Sequence, residues 1–342
     1  MAMQLPVCSS SIELLPWVEF NWQDPWSSRI IEAAANMGRK RGARSKSAKE
    51  GSSGLGSALV GIVACVVGFI LYAVHGADDT DVAAPDVEPS RSRTGPKLSS
   101  VLEHDTRSFT QGLVIADGYM YESNGMYGAS NVRKLDLHGK VLAERGMDKQ
   151  FFAEGLDYFN GQLIQLTWRE KVVFIYDAAT LRQVRRVEQP RTVTGEGWGI
   201  TNNGTHLIVS DGSNTLFFWD AETLQEVGRL EVRHKQLASE FASLYNRLGP
   251  NMGLGPDGDK IHFLNELEFV NGEILANVWY SDKVLRISPT TGAVLGVYDF
   301  THLHRMAHTG KEDCLNGIAV DRERKRLYVT GKYFGKLFIL DL

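Results

Sequence analysis

Cysteine is scarce in this chain. Three occur in 342 residues, Cys8, Cys65 and Cys314, far apart in sequence. That spacing excludes a disulfide framework and a cysteine-based zinc finger. Excess positive charge is also missing. The formal net charge is −4, so the chain as a whole is not a nucleic-acid binder. No nucleophile elbow, HExxH pair or Walker loop is present. Residues 98–342 lack any long 3.6-residue periodicity before about Leu237, so that part of the chain is not built on helices. What is present is globular. Hydrophobic residues make up 43%, aromatics reach 10% with seven tryptophans, and 34 glycines stand against 10 prolines. That is enough apolar material for a real core.

The first hundred residues differ from the rest. Residues 1–38 carry Trp17, Phe20, Trp22 and Trp26 without periodicity, and read as a tail. A basic run follows, from Arg39 through Lys49, and then an uncharged apolar stretch from Gly56 to Val74. About 19 residues at 1.5 Å each span roughly 28 Å, close to the hydrocarbon thickness of a bilayer. The stretch starts too far in and runs too long for a cleaved signal peptide. It is apolar all round, unlike a core helix with a polar face. It predicts a transmembrane signal anchor over residues 56–75. The basic flank stays cytoplasmic, so residues 1–55 are expected in the cytosol and 76–342 in the lumen of the secretory pathway, a type II arrangement. Residues 76–97 are acidic and rich in Pro and Ser, and read as a stem. The lumenal part then holds Cys314 alone. Asn203-Gly204-Thr205 is a glycosylation sequon placed where it can be used.

From residue 98 onward the chain repeats itself. QGLVIADGYMYESNG begins at Gln111, EGLDYFNGQLIQLTW at Glu154, EGWGITNNGTHLIVSDG at Glu196, NELEFVNGEILANVW at Asn265 and NGIAVDRERKRLYVTGK at Asn316. Each is a polar residue, a short apolar strand, a turn and a second strand. A third strand ending in Asp follows in most, and Thr-Leu is expected to begin the fourth. The first three units are about 42 residues apart, the later intervals near 69 and 51. Four strands in roughly 40–45 residues is the size of a propeller blade. The excess in the longer intervals is assigned to a helical insert, Leu237 to Gly249, and a loop, Thr301 to Asp313. The fold predicted is all-β: a five-bladed β-propeller with a helical insert, closed by a strand near Lys97.

In a propeller the repeat starts meet at one mouth of the central channel. Gln111, Glu154, Glu196, Glu266 and Asn316 are therefore expected to converge. Glu154 and Glu196 sit among apolar residues or glycines, where a carboxyl group shifts toward the range useful for proton transfer. The alternative is that such acids only tie blade backbones together. Trp168, Trp198 and Trp279 adjoin the same positions, with Phe109, Phe151 and Phe152 close by, and would make an apolar pocket. Trp219 reads as blade core. Lys332, at a strand end after Gly331, is either a surface lysine or a group that meets negative charge in that pocket. His302, His304 and His308 fit no standard metal-ligand spacing and read as a solvated loop.

Together SFTQGL (Ser108 to Leu113), FFAEGL (Phe151 to Leu156), QLTW (Gln165 to Trp168), GEGWG (Gly195 to Gly199), LNELE (Leu264 to Glu268), ANVW (Ala276 to Trp279), LNGIA (Leu315 to Ala319) and VTGK (Val329 to Lys332) resemble the plant- and bacterial-type glutaminyl-peptide cyclotransferases. The resemblance covers residues 98–342 and implies a five-bladed propeller. It also implies the reaction, closure of an N-terminal glutamine to pyroglutamate with loss of ammonia, on peptides and proteins that begin with Gln. By the family pattern Glu154 shuttles the proton. Gln111, Asn265 and Lys332 bind the amide oxygen or the peptide backbone, and Phe109, Trp168, Trp198 and Trp279 form an aromatic box. No cofactor is implied for the chemistry. A structural calcium in the channel is implied, but spacing does not locate it. A non-catalytic propeller that captures peptide N-termini or small ligands has the same pattern and stays open on the residues alone.

Overall fold

The computed structural model describes residues 95–307, 310 and 313–342. The expected tail, membrane anchor and most of the stem lie outside the described residues, as does His308. Among the described residues, no helix is long and apolar enough to cross a membrane.

Among the described residues, twenty strands form five four-stranded antiparallel sheets. Blades 1 to 4 each run in sequence order from the channel outward, and their inner strands are Thr110–Ala116, Ala153–Phe159, Ile200–Asn202 and Leu264–Val270. Blade 5 starts with Leu315–Asp321 and borrows its outermost strand from the other end of the chain. Lys97–Glu103 pairs antiparallel with Lys336–Asp341. That pairing closes the ring as expected, and covers an edge that would otherwise be open. The two inner strands of each blade are buried along most of their length on both faces, while the outermost strands are more exposed. Trp219, expected in the blade core, is fully buried there beside Leu207 and Phe217.

Four inner strands share one irregularity. The pairing register slips at Gln111, at Glu154-Gly155, at Asn265-Glu266 and at Asn316-Gly317. In three of them two residues stand opposite one, which is a β-bulge, a device that re-aims side chains. In blade 3 Trp198 and Gly199 take that place, bonding the backbone of Ser210 from both sides at 3.0 Å. The third repeat is therefore two residues out of the predicted register. Trp198-Gly199, and not Glu196-Gly197, is the counterpart of Glu154-Gly155. The glycine after the bulged residue is forced by close approach. A Cβ on Gly155 would lie 2.5 Å from the Trp198 carbonyl oxygen, and one on Gly199 would enter the Asn265 carbonyl.

Two further expectations change. Thr-Leu does not open the fourth strand. Asp177 accepts from the N–H of Thr180 at 2.9 Å, Leu181 turns at φ +56°, and the strand starts at Gln183. Asp220, Thr223 and Leu224 repeat this turn in blade 3. The segment from Thr301 is no plain loop either. Thr301–Met306 is helical, and His304 Nδ1 lies 2.6 Å from Asp282 Oδ1. The insert predicted from Leu237 consists of two short helices, α1 (Lys235–Glu240) and α2 (Ala242–Leu248), and a 3-10 turn, Gly249–Asn251. Leu237, Phe241 and Tyr245 pack into the same core as Trp198, Phe263 and Leu264.

Candidate active site

The bulges bring one polar side chain from each of several blades to one end of the channel. Glu154, 4% exposed, accepts a hydrogen bond on Oε1 from Gln111 Nε2 at 2.9 Å. Asn316 Nδ2 donates to the Thr110 carbonyl at 2.9 Å and reaches Gln111 Oε1 at 3.4 Å. The Glu154 backbone carbonyl accepts from Ser123 Oγ at 2.5 Å, which holds the strand in place. Burial pushes the Glu154 carboxyl well above the ordinary carboxylate value, Lys332 opposes the shift, and Glu196 and Glu170 add to it. The carboxyl in the mouth is thus easier to protonate than a free one.

Two acceptors there have no partner. Asn265 Oδ1 and Asn316 Oδ1 are buried and unbonded. Buried amides left unsatisfied are costly, and their presence together suits a ligand that brings its own donors. Lys332 is 4% exposed, with Nζ 4.7 Å from the Phe109 ring centre.

Aromatic residues line the rim. Phe109 packs edge-on against Phe152 and Tyr333, with centroids at 6.1 and 5.1 Å. Phe152 meets Trp168 at 5.6 Å. Trp198 packs edge-on against Trp279 at 5.4 Å, and Trp279 touches Tyr280 at 4.8 Å. Glu196 joins the two arcs. One carboxylate oxygen accepts from Trp168 Nε1 at 2.8 Å and from Trp198 Nε1 at 2.9 Å, while the other takes Arg169 Nε at 2.8 Å. Glu196 is a positioning residue for two indoles, not a second free acid. Phe151 turns away from the mouth, because successive side chains along this segment face opposite ways; it packs on Phe174 in the blade core.

The second strands end at equivalent places too. The N–H of Gly125, Trp168, Trp279 and Lys332 each bonds the carbonyl at the entry of its own blade, at Phe109, Phe152, Phe263 and Cys314. Lys332 therefore holds in blade 5 the position that Trp168 and Trp279 hold in blades 2 and 4. Gly125 holds it in blade 1, where any Cβ would collide with Phe152. Sequence reasoning missed Tyr127, Tyr280 and Tyr333 at the rim. Tyr280 and Tyr333, each directly after one of these strand-end positions, were the available signal.

Deeper in the channel Glu266 spans two other blades, accepting from Leu113 N at 3.3 Å and Ile318 N at 2.8 Å. It takes the place of a glycine in the ring and stays out of the mouth. Asp157 is raised to about 7 by burial, with Asn202 Nδ2 donating to it at 2.7 Å. Glu268 pairs with Arg322 at 3.3 Å. These carboxyl groups do not by themselves assemble a site for the implied calcium. Among the described residues no three His, Cys, Asp or Glu side chains are grouped to hold a metal ion, and each channel carboxyl already answers to a protein donor.

A buried acid, a lysine and unpaired amides inside an aromatic mouth define a class: a five-bladed propeller with a site for a small polar group. The chain belongs to the glutamine cyclotransferase family, whose pattern matches residues 70–244 and 250–342. It is 38% identical over 245 residues to a glutaminyl-peptide cyclotransferase of Arabidopsis thaliana, covering 70% of this chain and 68% of that one. Its fold is similar to the crystal structure of the Myxococcus xanthus glutaminyl cyclase, with a TM-score of 0.60 and 32% identity, over 71% of this chain and 94% of that one.

Proposed function

We infer that this member of the family closes an N-terminal glutaminyl residue to pyroglutamate and releases ammonia, with Glu154 as the proton shuttle. The observation that carries the assignment of roles is the buried Glu154 carboxyl held by Gln111 inside the aromatic rim. The neutral α-amine attacks the side-chain γ-carbonyl carbon, and a five-membered ring closes. Attack is intramolecular, so the mouth mainly has to keep the side chain folded back. Phe109, Trp168, Trp198 and Trp279 clamp the glutaminyl group and exclude water. Lys332 and the Asn265 amide N–H stabilise the oxyanion as charge develops. Glu154 takes the proton from the attacking nitrogen and gives it to the departing one; the old C–N bond breaks and ammonia leaves. Gln111 donates to Oε1 and so aims the free oxygen at the substrate. These groups supply the whole proton path, and we assign no cofactor to the chemistry.

The same reading extends to location. Residues 56–75 act as a signal anchor, with 1–55 cytosolic and 76–342 lumenal; the apolar run and the charge asymmetry around it support this. Asn203 is the glycan acceptor. It sits on a hairpin at the channel end opposite the mouth, its Oδ1 bonded by Thr205 Oγ1 at 2.9 Å.

The deciding experiment is direct. The full-length chain is incubated with a peptide beginning in Gln, and ammonia and the pyroglutamyl product are measured together. Binding of the peptide without either product would favour the non-catalytic alternative.

A further inference from the structure

Beside the mouth, and joined to it through the contact of Tyr280 with Trp279, lies a cleft that the proton chemistry does not use. Tyr280 follows Trp279 directly, turns at φ +58° and is 41% exposed. It forms one wall of a cavity of about 400 Å³ between blade 4 and the helical insert, with Phe241, Leu244 and Arg247 on the insert side. The insert is fixed by its apolar face to the core that also holds Trp198 and Trp279. The cleft is thus rigidly attached to the site.

Its charges are unbalanced. Lys283 is neutralised by Glu240 across the cleft. Arg247 is exposed, its guanidinium 5.9 Å from the Tyr280 ring centre, and among the described residues it forms no ion pair. Asp313 faces Tyr280 from the other side. Arg247 lies in residues 245–249, between the two stretches that the family pattern matches.

A glutaminyl residue folded back into the mouth leaves its α-carbonyl as the exit for the peptide. On the blade 2 side of the rim, Tyr127 is tied to Glu170 at 2.7 Å and Arg169 to Glu196 at 2.8 Å. On the blade 4 side Tyr280 packs on Trp279 and also lines the cleft. We propose that the second residue of the substrate peptide lies over Tyr280 with its side chain in this cleft, and that Arg247 selects an acidic side chain there. This rests on the cyclotransferase reading above.

The test compares Gln-Glu-Ala-amide, its neutral isostere Gln-Gln-Ala-amide and Gln-Ala-Glu-amide, at low and high salt. An exposed pair of this kind is worth roughly two- to fivefold in kcat/KM at low ionic strength, mostly in KM and reduced by salt. The expected result is a Glu-over-Gln preference at the second residue, brought to unity by Arg247→Ala, kept by Arg247→Lys and inverted by Arg247→Glu. Equal kcat/KM for the first two peptides in the unaltered enzyme, a preference that survives Arg247→Ala, or a preference confined to the third residue would overturn the proposal while leaving the activity intact. Absence of ammonia from every peptide would instead remove the underlying reading, and this proposal with it.

Discussion

Replacing Glu154 by Gln separates chemistry from structure. Gln111 Nε2 donates to Glu154 Oε1 at 2.9 Å, and it can donate to a glutamine carbonyl at that place just as well. The new amide N–H₂ then faces the substrate, where no proton can be taken up. Removing a general acid/base costs about 10²–10⁴-fold in rate. The aromatic rim is untouched, so kcat is expected to fall by that factor while KM moves little. Stability gives a second readout. Burial raises the Glu154 pKa in the folded chain, so the native state holds its proton more tightly than the unfolded state. The stability this contributes is complete below the ordinary carboxylate pKa and is lost as pH rises through the raised folded value. The substituted amide cannot titrate. Glu154→Gln should therefore match the unaltered protein in acid and exceed it in thermal midpoint at alkaline pH. Ammonia release and thermal denaturation across pH measure both. Near-normal kcat in Glu154→Gln together with its loss in Glu196→Gln would refute the assignment, and a midpoint difference that does not change with pH would refute the burial argument.

Glu196→Gln keeps one acceptor for the indoles but loses charge assistance and the Arg169 pair. A loss of about 1 kcal/mol predicts KM up about fivefold with kcat little changed, read from steady-state kinetics. Gly199→Ala pushes a methyl into the Asn265 backbone of the next blade. It should cost about 3 kcal/mol or more, seen as a large drop in denaturant midpoint or as insoluble protein. His104 sits between blades 5 and 1, with Nδ1 2.9 Å from the Phe334 carbonyl and Nε2 2.9 Å from Glu122. Burial alone would depress His104, but Glu122 holds it above its ordinary value, while Glu122 itself is held low chiefly by His104 against the cost of burial. The histidine contribution is present below about pH 6.5 and is lost as pH rises through the raised value; the glutamate contribution is present above about pH 4.3 and is lost as pH falls through the lowered value. His104→Gln should remove the histidine share of the alkaline decline of stability and leave the Glu154 share, checked by denaturation at a series of pH values.

Blade count and ring closure were legible because each blade repeats a local pattern. Turn residues and alternation set each hairpin, and the leftover strand at Lys97 has the unpaired edge of Lys336–Asp341 to join. Gln111, Glu154, Asn265 and Lys332, the residues of the proposed site, were singled out in sequence because they occupy repeat positions. Register in blade 3 was not. GEGWG offers two Glu-or-Trp-then-Gly alignments, and only backbone pairing with Ser210 separates them. Nor could spacing tell which face Phe151 and Phe152 take, since a bulge resets the alternation. The short helix at Thr301 escaped because six residues carry too little periodicity to register.

The propeller supplies nearly identical backbone positions, and the chemistry comes from filling them differently. At the bulged place the five blades carry Gln111, Glu154, Trp198, Asn265 and Asn316. At the end of the second strand blades 1, 2, 4 and 5 carry Gly125, Trp168, Trp279 and Lys332. A symmetric ring of acids would repel itself, and a symmetric ring of tryptophans would fill the mouth. One acid beside one amide gives a carboxyl group of fixed orientation, as the proposed proton shuttle requires. In blade 1 the glycine makes room for the Phe152 ring and the Gln111 side chain, and the lysine in blade 5 stands where the proposed mechanism needs a positive charge. The rigid part of the design lies one residue further on, where Gly112, Gly155, Gly199 and Gly317 let adjacent inner strands approach until a Cβ would collide. Polar side chains are thus held at close quarters by backbone contact rather than by their own packing. The strands that carry Asn265 and Asn316 cannot relax inward, and so their buried carbonyl oxygens stay unpaired among the described residues.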